Sequence, residues 1–203
     1  MKNIKCILFD FDSVLCDLCE VHKIALNTAM KKTVGFNITD RDHYAKFNGL
    51  PTSKKLEMLH EQGHIKKDDI QKISDLKQKL TLKEITNIKP DKTRSEILEY
   101  LTKKQIIIAV VSNAKRETIT QALKKMGLWE YISFVVSNDD TTKNKPNPDP
   151  YLLAINRSRF DKSEIIAIED NENGVIAAVD AGIECIQIMK FDELTLDLIK
   201  QIC

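Results

Sequence analysis

Three short apolar runs in this chain each end in polar residues, and this pattern constrains the fold more than any other feature. The polar residues follow at once: Asp10 and Asp12 after residues 4–9, Ser112 and Asn113 after 106–111, and Glu169 and Asp170 after 165–168. Short apolar runs rich in β-branched side chains are typical of strands buried on both faces. Since ligands bind beyond the carboxyl ends of strands in an open parallel sheet, these polar residues are candidates for one shared site.

Helical segments separate the later runs, and their alternation with strands predicts the fold class. The pattern beyond residue 89 predicts strands over 106–111, 132–136, 165–168 and 185–189, with helices over 93–104, 116–125, 149–159 and 173–181. Strands and helices that alternate through short connections are typical of a doubly wound parallel sheet. The sequence therefore predicts an α/β protein.

Residues 16–88 do not follow this alternation, and their apolar residues recur at helical spacing. In the second half of this segment, Gly63 and the pair of Asp68 and Asp69 predict breaks between three helices. We therefore predict an all-helical domain inserted directly after the first strand. The α/β core then consists of the remaining residues, 1–15 and 89–203.

Charge and composition argue against several classes of partner. The chain has 31 Lys and Arg against 30 Asp and Glu, and a formal net charge of +1 provides no footprint for nucleic acid or an anionic membrane. No apolar stretch approaches the roughly 18 residues of a membrane-spanning helix, and no signal peptide is apparent. The odd count of five cysteines predicts reduced thiols. We expect a cytoplasmic monomer, with no redox or zinc role for Cys16 and Cys19.

The polar residues after the strands have the chemistry to bind a divalent cation and a phosphate. A cluster of carboxylates from Asp10 and Asp12 with one or both of Glu169 and Asp170 would be costly unless a cation neutralised it, and hard oxygen ligands suit Mg²⁺. Ser112 and nearby N–H groups can hold phosphate oxygens, and Lys145 can neutralise added charge. Each element alone is ordinary for a turn or helix cap. Their order and spacing together predict a site.

These motifs resemble those of the haloacid dehalogenase superfamily, in particular its phosphatases with a small helical cap, the subfamily of β-phosphoglucomutase and phosphoglycolate phosphatase. Four segments carry the resemblance: residues 10–15, 112–113, 145–148 and 168–174. The chain departs from many relatives at Ser13, where they have Gly. The resemblance implies a Rossmann-like core, a cap formed by residues 16–88, and a Mg²⁺-dependent phosphatase acting on a small phosphorylated metabolite.

The resemblance also implies a role for each motif residue. Asp10 is expected to attack phosphorus and form an aspartyl-phosphate, with Lys145 stabilising the transferred group. Asp12 is expected to protonate the leaving oxygen and then to activate water. The implied phosphate-binding residues are Ser112, Asn113 and Lys145. The implied Mg²⁺ ligands are Asp10, Asp170 and the main-chain carbonyl of Asp12, with Glu169 in support.

Residues 48–55, which begin at Asn48, resemble the substrate loop of the cap. The residues expected to set specificity in the cap are His22, Gly49, Thr52 and Lys54. Thr52 stands where β-phosphoglucomutase has an Arg that grips a phosphate. A mutase must hold a second phosphate, so the loss of that cation argues against a mutase unless Lys54 or Lys55 substitutes for it.

Two alternatives to the phosphatase stay open. A hexose phosphomutase of the β-phosphoglucomutase kind would depend on a bisphosphate activator and hydrolyse its substrate very slowly. A non-catalytic protein would bind phosphate in the core and regulate a partner. The presence of Asp12 beside Asp10 argues against this second alternative, because a pure binder has no use for a second carboxyl that transfers protons.

Overall fold

The computed structural model describes residues 3–47 and 49–203, apart from the side chain of Tyr44, and contains two compact units. The first unit comprises Met1–Asp17 with Ile88–Cys203, and the second comprises Leu18–Asn87. The helical insert predicted at 16–88 falls at the second unit, with slightly different ends.

A parallel sheet of five strands forms the centre of the first unit. Its strands are β1 (Cys6–Phe9), β2 (Ile107–Val111), β3 (Phe134–Val136), β4 (Ile165–Glu169) and β5 (Glu184–Gln187). Their spatial order is β3-β2-β1-β4-β5, so the chain builds one side of β1 before it crosses to the other. The predicted α/β fold with a doubly wound parallel sheet is confirmed.

Helices connect the strands of the first unit and form the second unit. In chain order they are α1 (Cys19–Val34), α2 (Asp40–Asp42), α3 (Thr52–Glu61), α4 (Lys67–Ile85), α5 (Lys92–Lys103), α6 (Arg116–Met126), α7 (Asp149–Ser158), α8 (Glu172–Asp180) and α9 (Leu196–Ile202). A short π-helical turn, His43–Phe47, follows α2 directly. Strands β1 and β4 are buried along their whole length, as their apolar runs predict, whereas the edge strand β5 is partly exposed.

The second unit closes around its own apolar cluster, in which Leu26 and Met30 of α1 pack with Leu56 of α3 and Ile73 of α4. Helix α1 ends at Val34, and Gly35 caps it with a φ of 74°, the left-handed conformation that glycine favours. The predicted break at Asp68 and Asp69 is wrong, because both residues lie in the first turn of α4. Carboxylates at a helix N-terminus are stabilised by the helix dipole, so this pair favours a helix start.

None of the helices within residues 3–47 and 49–203 has the length and apolar character needed to cross a membrane.

The loop after β3 is held to two helices through the carboxylate of Asp140. Asp140 accepts hydrogen bonds from the backbone and hydroxyl of Ser137, at 2.8 and 2.6 Å. It also accepts from Arg116 at the start of α6, at 2.5 Å, and from Arg157 in α7, at 3.0 Å. Burial raises the pKa of Asp140, but the bonds from Ser137, Arg157 and Arg116 outweigh it and hold that pKa well below its usual value.

We expect Asp140→Asn to lower the free energy of unfolding by about 2 kcal/mol at neutral pH, because the amide cannot accept this set of charged donors. The folded-state pKa lies below the unfolded value of about 3.9. The stabilisation is therefore full above about pH 5 and is lost as the pH falls through the folded pKa. Urea unfolding should show a constant difference from wild type between about pH 8 and pH 5, which shrinks below about pH 4.

Asp197→Asn is the matched control, since Asp197 is exposed and lies 3.6 Å from Lys200. Its cost should stay within about 0.5 kcal/mol at every pH. An Asp140→Asn cost no larger than that of the control, or one that grows on acidification, would contradict the interpretation of this network.

Candidate active site

The strand order brings the predicted site residues to one edge of the sheet. Strand β1 pairs with β2 on one side and with β4 on the other, with Phe9 opposite both Val110 and Ile168. The sheet therefore reverses its winding direction beside β1, which is the point where open α/β sheets bind ligands. The predicted residues follow these three strand ends: Asp10 after β1, Ser112 after β2, and Glu169 and Asp170 at the end of β4.

The ammonium of Lys145 joins the ends of these strands. Its Nζ atom donates to Oδ1 of Asp10 at 2.6 Å, to Oε1 of Glu169 at 2.5 Å and to the carbonyl of Val111 at 2.6 Å. Lys145, Asp10 and Glu169 are 4%, 5% and 0% exposed, so these charges are withdrawn from water together. The three bonds use every donor of the ammonium, and they compensate part of the desolvation cost.

Asn113 fixes the backbone that carries this lysine. Its side-chain nitrogen donates to the carbonyl of Lys145 at 3.1 Å, and its side-chain oxygen accepts from the N–H of Lys145 at 3.0 Å. Ser112 is buried, and its hydroxyl accepts from the N–H of Ala114 at 3.1 Å. The two predicted phosphate-binding residues after β2 thus lie at the site, and the amide of Asn113 clamps the lysine loop.

Acidic oxygens converge at the same place. One carboxylate oxygen each from Asp10, Glu169 and Asp170 lies within 4.8 Å of the others. Burial raises the pKa of Asp10 well above its ordinary value, and it raises that of Asp170 to about 6 despite a hydrogen bond from Asn171.

The donor set of this cluster fits a hard divalent cation. Glu169 Oε2 is buried and has no hydrogen-bond partner among the described residues, although Oε1 of the same carboxylate is fully engaged. Three acidic groups therefore face one ammonium and leave negative charge uncompensated. Oxygen ligands of this kind are those that Mg²⁺ prefers.

Tyr151 also belongs to the site, and sequence reasoning missed it. Its hydroxyl donates to Oε1 of Glu169 at 2.5 Å, and its ring centre lies 5.1 Å from the Lys145 ammonium. Burial, followed by the negative charges of Glu169 and Asp10, raises the pKa of Tyr151 far above its ordinary value, so the hydroxyl stays a donor. A tyrosine early in a helix has the sequence signature of an ordinary core residue, so no local pattern identifies it.

The loop after β1 turns tightly beyond Asp12. Ser13 has a φ of 62°, in the left-handed region that favours glycine. Asp12 is partly buried, and its backbone pairs with that of Cys16 in a single parallel β-type pairing. Cys16 and Cys19 are reduced cysteines, and burial raises the pKa of the Cys16 thiol, which keeps it protonated.

In the helical unit, His22 forms a contact that the sequence did not predict. The ammonium of Lys77 in α4 donates to Nδ1 of His22 in α1 at 3.0 Å. Because an ammonium can only donate, Nδ1 of His22 must accept. Lys77 is 9% exposed, and its place in a helix rich in lysines conceals it from sequence inspection.

The other predicted specificity residues lie near the start of α3. Gly49 has a φ of 71°, and Thr52 is the first residue of the helix. Lys54 is exposed and lies 3.8 Å from Glu57, whereas Lys55 is buried. Asn48 lies outside the described residues.

The chain belongs to the family of haloacid dehalogenase-like hydrolases. The model of that family matches residues 7–188, which include all four motifs of the sequence analysis. The predicted membership of this superfamily is confirmed.

Two named relatives and one solved structure share most of their length with this chain. A phosphorylated carbohydrates phosphatase from Thermotoga maritima is 27% identical over 180 residues, which cover 88% of this chain and 82% of that protein. The pyrophosphatase PpaX from Bacillus velezensis is 28% identical over 192 residues, covering 89% and 81%. The crystal structure of β-phosphoglucomutase from Clostridium difficile is similar in fold, with a TM-score of 0.84, 19% identity, and coverage of 98% and 96%.

We expect Gly174→Ala to lower the free energy of unfolding, because its methyl group would collide with the Glu169 carboxylate. A Cβ atom at Gly174 in α8 would lie 2.0 Å from the carboxylate carbon of Glu169, whose side chain Lys145 and Tyr151 hold in place. Alanine elsewhere in a helix stabilises by about 1 kcal/mol relative to glycine. Here the crowding should reverse that sign and cost about 2 kcal/mol in urea unfolding.

Gly127→Ala serves as the control. Nothing lies within 4 Å of a Cβ built at Gly127, whose φ is 73°, so only the left-handed backbone is penalised there, by about 1 kcal/mol. A Gly174→Ala protein as stable as wild type would show that Glu169 is not confined as described.

Proposed function

We propose that this chain is a Mg²⁺-dependent phosphatase that hydrolyses a small phosphorylated metabolite through an aspartyl-phosphate on Asp10. The observation that carries the proposal is the buried ammonium of Lys145 bound to both Asp10 and Glu169 at the carboxyl ends of neighbouring strands. Membership of a hydrolase family and the names of the phosphatase and pyrophosphatase relatives support it.

The chemistry needs two carboxyl groups with different tasks. In the first step an oxygen of Asp10 attacks phosphorus, the bond from phosphorus to the leaving oxygen breaks, and Asp12 gives that oxygen a proton. In the second step a water oxygen attacks the same phosphorus, Asp12 takes its proton, and the bond from phosphorus to Asp10 breaks. Asp12 thereby regains its proton, and inorganic phosphate and an alcohol are released.

Electrostatics decides which other residues are needed. A carboxylate that approaches a phosphate dianion is repelled by about 4 kcal/mol per pair of unit charges at about 4 Å, with an effective dielectric constant of about 20. Lys145 offsets this repulsion by neutralising charge on the transferred group. To do so its ammonium must turn from Asp10 toward the phosphate, while Glu169 and Asn113 keep the lysine in place. Ser112 would hold a phosphate oxygen beside it.

The residues proposed to hold Mg²⁺ are Asp10, Asp170 and the main-chain carbonyl of Asp12, with Glu169 in support. The ion would supply positive charge that stabilises the negative oxygens of the transferred group. Glu169 keeps its buried carboxylate beside this cluster because Tyr151 and Lys145 hold its other oxygen.

We propose a phosphomonoester as the substrate class. The leaving group of a sugar phosphate is an alkoxide, which requires protonation and therefore a residue such as Asp12. The leaving group of pyrophosphate is phosphate, which needs that proton far less. The mutase alternative is less favoured in this chain, because Thr52 brings no cation to α3, Lys54 is exposed beside Glu57 and Lys55 is buried.

We expect purified protein to hydrolyse p-nitrophenyl phosphate in the presence of Mg²⁺. EDTA should abolish the activity, and excess Mg²⁺ should restore it. Asp10→Asn removes the nucleophile and should lower kcat by about 1,000-fold or more. Asp197→Asn, at an exposed position far along the sequence, should keep wild-type activity. Wild-type turnover in Asp10→Asn would exclude the aspartyl-phosphate mechanism.

A panel of phosphorylated metabolites and inorganic pyrophosphate, measured by phosphate release, should identify monoesters as the better substrates. Hydrolysis should need no bisphosphate activator, because water rather than a second sugar accepts the phosphoryl group. Isomerisation of a sugar phosphate only when a bisphosphate is added would instead identify a mutase. Binding of Mg²⁺ without turnover of any compound would identify a non-catalytic phosphate binder.

A further inference from the structure

A buried arginine outside the motifs connects the loop of Asp12 with the C-terminal segment. Arg94 lies in the first turn of α5 and is 2% exposed, which makes it one of the largest fully buried side chains among the described residues. The N-cap Asp91 accepts a hydrogen bond from the Arg94 backbone N–H at 2.8 Å, so the helix start is well defined. Other contacts fix the direction of the Arg94 side chain.

The guanidinium of Arg94 binds three backbone carbonyls in two separate segments. Its Nε donates to the carbonyl of Val14 at 2.9 Å, and Nη1 donates to that of Leu194 at 3.2 Å. Its Nη2 donates to the carbonyl of Phe191, and the Phe191 ring stacks on the guanidinium with its centre 3.7 Å away. The planar fork of arginine suits such a set of diverging acceptors, whereas a single ammonium or an apolar side chain does not.

Burying the Arg94 guanidinium at a core position carries a desolvation cost that an apolar side chain would not have. Among the described residues, no carboxylate lies within ion-pair distance of the Arg94 guanidinium. Carbonyl dipoles and an aromatic face contact its charge directly, and the carboxylates of Asp91 and Asp192 stabilise it from farther away. Burial accordingly lowers the pKa of Arg94. An apolar side chain of similar size would avoid the desolvation cost. The property that only arginine supplies here is the simultaneous hold on Val14 and on residues 191–194.

Val14 belongs to a loop that is short and internally hydrogen-bonded. The N–H groups of Leu15 and Cys16 both donate to the carbonyl of Phe11 at 3.0 Å, and the N–H of Ser13 donates to the carbonyl of Cys16 at 2.8 Å. A tether at Val14 therefore restrains the whole turn, including Asp12 two residues earlier. Without the tether, the left-handed Ser13 leaves the turn under local strain and with fewer constraints.

We propose that Arg94 is a positioning residue for Asp12, acting through the carbonyl of Val14 and anchored by the C-terminal segment at Phe191 and Leu194. The inference rests on the proposed function, because it assumes that Asp12 protonates the leaving oxygen. Loss of the guanidinium should therefore weaken proton transfer more than it weakens attack by Asp10. A displacement of about 1 Å of such a group can lower a rate by about 100-fold.

The leaving group of the substrate provides the test. p-Nitrophenolate leaves with little need of a proton, whereas the alkoxide of β-glycerophosphate depends on one. The ratio kcat/KM reports the steps up to departure of the leaving group. In Arg94→Met we expect kcat/KM for β-glycerophosphate to fall by about tenfold or more beyond its fall for p-nitrophenyl phosphate. Equal losses for the two substrates would overturn the proposal.

Asp12→Asn separates this proposal from the proposed function. Its kcat/KM for β-glycerophosphate should also fall more than its kcat/KM for p-nitrophenyl phosphate, and by a larger factor than in Arg94→Met. If Asp12→Asn lowers kcat/KM equally for both substrates, Asp12 is not the acid that protonates the leaving oxygen, and the proposed mechanism is wrong. If Asp12→Asn is selective and the Arg94 variant is not, only the positioning role is overturned.

Two further variants keep the test independent of folding. Arg94→Lys keeps a buried cation that cannot reach all three carbonyls, and it replaces Arg94→Met in the test if Arg94→Met does not fold. Its kcat/KM for β-glycerophosphate should still fall more than its kcat/KM for p-nitrophenyl phosphate, although by less than the tenfold expected of Arg94→Met. Equal falls for the two substrates in this variant also overturn the proposal. Arg157→Met is the matched control, because Arg157 binds a carbonyl and Asp140 without contacting the Asp12 loop. Its effect on the two substrates should be the same.

Discussion

A buried ammonium between two buried carboxylates is the interaction on which the rest of the site depends. Lys145 reaches Asp10 at the end of β1 and Glu169 at the end of β4, so one side chain joins two neighbouring strands. Removing the Lys145 charge would leave both carboxylates buried without compensation, at a cost of several kcal/mol. Asp10, the proposed nucleophile, is thus held by the same residue that is proposed to neutralise the phosphate.

Surrounding residues confine this ion pair from several directions. Asn113 binds both polar groups of the Lys145 backbone, and Tyr151 binds the Glu169 oxygen that Lys145 also uses. Gly174 has no side chain because the Glu169 carboxylate occupies that space. Each contact removes a rotamer or a loop conformation that would otherwise compete with the productive one. The site is therefore specified by packing around the charges as much as by the charges themselves.

Contacts beyond the motifs extend this support into the core. Arg94 joins the loop of Asp12 to the segment at Phe191 and Leu194, which is distant from every motif in the sequence. Asp140 similarly binds the loop after β3 to two helices through Arg116 and Arg157. The residues proposed to act in the mechanism thus occupy strand ends and loops, whereas Tyr151 and Arg94, which contact them or their loops, belong to helices and look like ordinary core residues in the sequence.

The sequence alone determined the strands, most helices and the motif residues, because periodicity, β-branched runs and motif spacing are local properties that a chain displays directly. The prediction was wrong at Asp68 and Asp69, because a pair of carboxylates in the first turn of a helix resembles a break in the sequence. Tertiary structure decided the strand order, and with it that Asp10 meets Lys145 across 135 residues and that Arg94 meets Val14 across 80. Tyr151, Lys77 and Arg94 escaped prediction for the same reason: the partners that give them a role are adjacent only after folding.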